Sequence, residues 1–444
     1  MSQSDYKSFK FLSEESKISS KLDNNGNTKD LKTELASLIN ESDSSIIITL
    51  LKALIRYQFD TSDEFLQFFE EINLSKKLIE WSLSDNEELS IRSLKFIVHI
   101  CSIHADFCEI LVENGIFNLV KEIIYYDHDC KIRESLSILV NIMGYSDIYS
   151  RRSLRIMSVG RVEELIKKKN PLIIQSCIRF LFNICKLSPY KEQAIYMILD
   201  VATLDDQRLV ILAVVLLSRL CYENILDKSI SDKLKIPSQM FSLAEKSKSE
   251  TLSIQIIKFI GYLCSKKLYS TIIEDDKLDF IMSFVNSNDH ELKNMTLWCL
   301  NCMVSSNLVD NNEKLYLFAI SIINMRFDSI SYSIKTNIIA VCWSIFSKIP
   351  NDLIISFLNS QNNINSLLEF IELIDNHREE FINIIMRLFR AFETNGTSGE
   401  FIEKLSLSKH YQELCELVEI DPLSESLFSA IKNQKEKSFP TSRS

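Results

Sequence analysis

Glycine and proline are scarce in this chain, seven and six in 444 residues. All-β and dinucleotide-binding folds need glycine at their turns and phosphate loops, so neither fits. Long apolar runs are also lacking. The longest, Leu209 to Leu217, is about half of the roughly twenty residues a membrane span requires. The opening residues, MSQSDYKSFKFLSEESK, hold no apolar signal core. Basic residues are outnumbered, 50 against 60 acidic, for a net charge of −10. That balance argues against nonspecific nucleic-acid binding, which needs a basic surface. The eleven cysteines are an odd number scattered along the chain and read as reduced, buried residues. Together these absences imply a cytoplasmic and/or nuclear protein, without a membrane or nucleic-acid partner.

What is present is helix-forming. Apolar residues make up 46% and charged residues 25%, with abundant Leu, Ile, Lys, Glu and Ser and few breakers. One short pattern recurs: a small or apolar residue, Leu or Ile, any residue, a polar reference residue, Ile or Leu, then a small residue. It reads KALIRYQ around Arg56, FIVHICS around His99, ILVNIMG around Asn141, FLFNICK around Asn183 and LLSRLCY around Arg219. It continues as FIGYLCS around Tyr262, CLNCMVS around Cys302, VCWSIFS around Ser344 and RLFRAFE around Arg390. Successive reference positions lie 43, 42, 42, 36, 43, 40, 42 and 46 residues apart. A period near 42 matches an armadillo or HEAT unit of two or three helices, which buries its apolar faces only by stacking. Between the patterns, ILVENGIFNLVKEII predicts a short helix, a turn at Gly115 and a second helix. SVGRVEELIKKK predicts the same plan around Gly160. The expectation is an all-α, right-handed armadillo-type superhelical solenoid of about nine to ten repeats over 31–433. Polar segments at 1–30 and 434–444 read as disordered.

The chain resembles the armadillo family and, within it, importin-α. NIMGYSDIYSRRSLRIMSVG, Asn141 to Gly160, is similar to that subfamily's phrase in which Asn-Ile precedes Gly-x-Ser, an arginine and a glycine. FNICKLSP resembles the following repeat, Trp298 keeps a ladder tryptophan, and ELCELVEIDPLSESLFSAIKN looks like the final helix pair. The resemblance implies a non-enzymatic adaptor, without cofactor or metal, that holds an extended segment of a partner protein in a concave groove. It also implies nuclear import together with a transport receptor. Departures are clear. Residues 1–30 contain no arginine, the ladder asparagine survives only at Asn141 and Asn183, and no repeat holds both tryptophan and asparagine. The alternative is a β-catenin-like scaffold for acidic or phosphorylated segments, unrelated to import.

The groove candidates are Arg56, Lys95, His99, Asn141, Arg179, Asn183, Arg219, Lys258, Tyr262, Trp298 and Arg390. They come from two positions per repeat, four residues apart and so on one helix face. Of 18 such positions seven are Lys or Arg and none is acidic. The overall composition, 50 basic and 60 acidic in 444, would place about two of each. This predicts a basic groove and an acidic or phosphorylated ligand, unless the basic side chains merely snorkel from crowded faces. Asn183 has two readings: it clamps a peptide backbone, or it bonds a neighbouring repeat and sets the stacking. Cys299-Leu300-Asn301-Cys302 lacks the second pair a zinc site needs and reads as core. Asp127-His128-Asp129-Cys130 reads as a turn, and GTSGE lacks the lysine of a phosphate loop. A monomer is expected.

Overall fold

The computed structural model describes residues 28–55, 63–126, 128–325, 330–421 and 424–438. Among them every regular element is a helix. Nine helices carry the recurring pattern or its approach and are numbered here in chain order. They are α1 (Ser44–Leu54), α2 (Glu87–Ile103), α3 (Asp129–Met143), α4 (Pro171–Ile184) and α5 (Gln207–Tyr222), followed by α6 (Glu250–Ser265), α7 (His290–Ser305), α8 (Tyr332–Phe346) and α9 (Ile374–Thr394). Their starts are 36 to 43 residues apart, the period seen in the sequence.

Start signals are side-chain caps. Asp43, Asn86, Asn170, Asp206, Ser249 and Asp289 each accept a hydrogen bond from a backbone N–H in the first turn of the following helix. Pro171 sits at the first position of α4, where its missing N–H costs nothing. Between α2 and α3 the chain runs as predicted, Ala105–Glu113, Gly115 and Ile116–Tyr126. Gly115 has φ +94°, a conformation that favours glycine. Around Gly160 the expectation fails. The glycine lies inside helix Val159–Lys167, because Ser158 caps that helix and moves the turn upstream.

The chain divides into two compact units, 1–216 and 217–444, with the division inside α5. In the first unit α1 packs on α2, α2 on α3 and α3 on α4. In the second, α6 packs on α7, α7 on α8 and α8 on α9. Each motif leucine is core: Leu139, Leu181 and Leu217 are 0% exposed and Leu300 1%. Hydrogen bonds repeat the period, linking residues 43 apart from Asn183 to Val140, Asn337 to Asn294 and Gln361 to Lys404. An armadillo-like stack fits each unit. Among the described residues the first helix begins at Thr28 and the last, Glu425–Ser438, runs past Asn433, where the sequence ended the stack. Residues 1–27 and 439–444 of the two segments expected to be disordered lie outside the described residues.

Candidate functional site

In the first unit, α2, α3 and α4 present Lys95, His99, Asn141, Arg179 and Asn183, all half-buried. The asparagines are engaged with their own stack. Asn141 Nδ2 donates to the Val98 carbonyl at 3.0 Å, and Asn183 Nδ2 donates to the Val140 carbonyl at 3.0 Å. Each bond ties a helix to the backbone of the one before, which is the stacking role. It uses one of two amide N–H donors, leaving the other and the oxygen. Beside them the Ser137 and Ser176 hydroxyls lie 3.5 Å apart. Burial pushes the Arg179 guanidinium down to about 9, still charged at neutral pH. Lys52, on α1, pairs with Glu88 at 2.6 Å. Arg56 lies outside the described residues.

The second unit builds a different surface. Tyr222 on α5 meets Tyr262 on α6 with ring centroids 5.6 Å apart, and Tyr262 meets Trp298 on α7 at 5.2 Å, both edge to face. Three successive helices thus share one aromatic run. Tyr222 is 42% exposed, while Tyr262 and Trp298 are half-buried. Burial raises the Tyr262 phenol above its ordinary value, so it stays neutral. Gly261 makes the run possible. A Cβ there would lie 2.3 Å from Trp298 Cζ3, so only a bare backbone admits the indole.

Cations and amides frame the rings. Lys258 stands one turn before Tyr262, half-buried, and Lys266 Nζ lies 5.8 Å from the Tyr222 ring. Arg219 Nε donates to Glu223 Oε1 at 2.6 Å. On the far side of Trp298, Asn337 Nδ2 donates to Asn294 Oδ1 at 2.8 Å, and Ser344 Oγ donates to Asn301 Oδ1 at 2.6 Å. Both bonds use the oxygens of Asn294 and Asn301, leaving their Nδ2 groups as donors.

Two ladder positions differ from the expectation. Cys302 is 7% exposed and Met386 3%, because a straight helix turns them inward; the neighbours Asn301 and Arg387 carry the polar contacts. Arg387 donates to the Phe346 and Ile349 carbonyls and to Asn351 Oδ1 at 3.1, 3.1 and 2.7 Å. Arg390 is exposed. Sequence reasoning therefore missed Tyr222, Asn294, Asn301, Asn337 and Arg387. A tyrosine three residues beyond Arg219 was the available signal for the first. The basic excess is also partly answered, since Glu88 and Glu223, off the ladder positions, pair with Lys52 and Arg219.

The CxxC pair is core. Cys299 and Cys302 are buried, and desolvation holds both thiols protonated, that of Cys302 pushed up to about 11. Asp127 lies outside the described residues, among which no group of three or more Cys, His, Asp or Glu could hold a metal ion. No described helix is long and apolar enough to cross a membrane.

No family model matches the chain. A crystal structure of an engineered protein is similar at TM-score 0.59 and 13% identity, covering 91% of this chain and 98% of that one. A structure concerned with a phosphorylation switch in the interaction between cadherin and β-catenin is similar at TM-score 0.51 and 12% identity, covering 80% of this chain and 68% of that one. At such identities the likeness shows the fold alone. The δ subunit of ATP synthase from Mycoplasma pneumoniae is 26% identical over 118 residues, 26% of this chain and 65% of that protein's length.

Proposed function

We propose that this chain is a non-enzymatic helical-repeat scaffold that holds an extended segment of a partner protein. The observation that carries the reading is the run Tyr222–Tyr262–Trp298 with the free donors of Asn294 and Asn301 beside it. Aromatic faces take apolar side chains and aliphatic stems of a bound segment, and amides take its backbone. Lys258 and Lys266 give this surface a preference for carboxylates or phosphates. The structure similar in fold that bears the β-catenin title concerns an interaction with cadherin, which supports a protein-binding use of the fold. A nuclear-import role with a transport receptor rests on the family resemblance alone, and the first-unit asparagines each donate to the backbone of the preceding long helix.

The test is fluorescence anisotropy of the full chain with one acidic and one basic extended peptide. Tighter binding of the acidic peptide, weakened at least about tenfold by Trp298→Ala and by Lys258→Glu, is expected. Preference for the basic peptide would restore the import-adaptor reading.

A further inference from the structure

We propose that helix Asp147–Ile156 of the first unit is a second docking site, specific for an acidic segment of a partner protein. It is distinct from the aromatic face, because the helix belongs to the short elements between α3 and α4. The sequence DIYSRRSLRI turns Ser150 and Ser153 inward. Ile148, Arg151, Arg152 and Arg155 follow at three- and four-residue steps and so share the opposite face. All four are exposed, Ile148 at 68%.

The three arginines outnumber the one acid of this helix, Asp147, which is exposed at its first position. Arg152 stacks over the Phe117 ring, 4.8 Å from its centroid, which fixes its guanidinium against helix Ile116–Tyr126. Arg151 and Arg155 pair with no described residue. Some other exposed cations of this unit have acids beside them, as Lys52 has Glu88 and Lys167 has Glu163. Four of the chain's 15 arginines fall within 151–161, in a protein of net charge −10.

Geometry and chemistry choose the partner. Seven helical steps span about 10 Å, room for two or three carboxylates but not for a long polyanion. A nucleic acid or an anionic membrane would extend beyond the patch into the field of an acidic protein. Guanidinium forks engage carboxylates in pairs, which lysine cannot reproduce. Ile148, at one end of the arginines, adds an apolar contact that a peptide side chain can meet and a phosphate backbone cannot.

The experiment uses the full chain and a fluorescein-labelled helical peptide with glutamates four residues apart and one leucine, beside its glutamine counterpart. The glutamate peptide should bind. Affinity should fall at least about tenfold in Arg151→Glu/Arg155→Glu, fall less in Arg151→Lys/Arg155→Lys, and stay unchanged in Trp298→Ala. The lysine variant keeps the test alive should the charge reversal fail to fold. Equal binding of the glutamine peptide, or undiminished binding by both arginine variants, would overturn the proposal. So would phosphatidylserine vesicles or single-stranded RNA binding through these arginines where the peptide does not. Loss in Trp298→Ala alone would assign the acidic peptide to the aromatic face instead.

Discussion

At the scale of single residues, Leu181 and Asn183 sit two positions apart on α4 and do different work. Leu181 is fully buried, so truncation to alanine should cost roughly 2–5 kcal/mol. Asn183→Ala removes one half-buried amide bond to a carbonyl and should cost about 0.5–1.5 kcal/mol. Urea denaturation of the two variants checks the order, and equal losses would make the asparagine a core element. Cysteine gives a second residue-scale expectation. Cys130 is exposed and the other ten are buried, so one thiol per chain should react quickly with Ellman's reagent, and Cys130→Ser should abolish that phase. Burial raises Cys177, Cys185 and Cys221 from 9.0 to about 12 in the folded state. The unfolded chain therefore loses these protons first. The stability they contribute is intact below pH 9 and lost as pH rises from there toward 12. Urea midpoints on either side of pH 9 should show a decline, and a flat profile would refute it.

At the scale of the element, the helix starts do more than stop fraying. Asn170 caps α4 by accepting from Leu172 N at 3.1 Å, and its amide donates to Asp129 Oδ2, at the start of α3, at 3.0 Å. Asn311 repeats the device, capping Asn312–Ile323 while donating to Asp275 Oδ2 at 3.0 Å. Asn170→Ala should thus cost about 1–2 kcal/mol, the upper part of the range for a cap. Asn170→Ser, which keeps the cap and loses the cross-repeat bond, should recover part of it. If serine were no better than alanine in thermal melts, the cap would contribute little. The period was legible in the sequence, because buried Leu and Ile must return on one face of every long helix. The partners of Asn141 and Asn183 were not legible. A backbone carbonyl one repeat away has no side-chain signature, so pattern alone left clamp and stacking bond equal. The neutralising glutamates escaped for a related reason: Glu88 and Glu223 lie off the two positions at which charge was counted. The failure at Cys302 and Met386 shows that a strict four-residue step drifts around a helix of 3.6 residues per turn.

At the scale of the molecule, each unit is a stack in which a helix meets only its near neighbours. Such arrays approximate a sum of local stabilities and neighbour terms, so two-state unfolding is not expected. Tryptophan placement offers a direct check. Trp81 reports on the first unit, Trp298 and Trp343 on the second. A variant retaining only Trp81 and one lacking it should give different urea midpoints by fluorescence. Coincident curves that also match far-ultraviolet circular dichroism would show one cooperative block.

Trp298 and Gly261 finally constrain what this chain can become. With 2.3 Å between a new Cβ and the indole, Gly261→Ala should cost about 1–3 kcal/mol by overpacking, although alanine is the better helix former. In a Trp298→Ala background the same substitution should become neutral or stabilising, and a double-mutant cycle measures the reversal. Neither position can drift alone. Lineages of this sequence should therefore exchange the two residues as a pair, with any side chain at 261 accompanied by loss of the indole at 298.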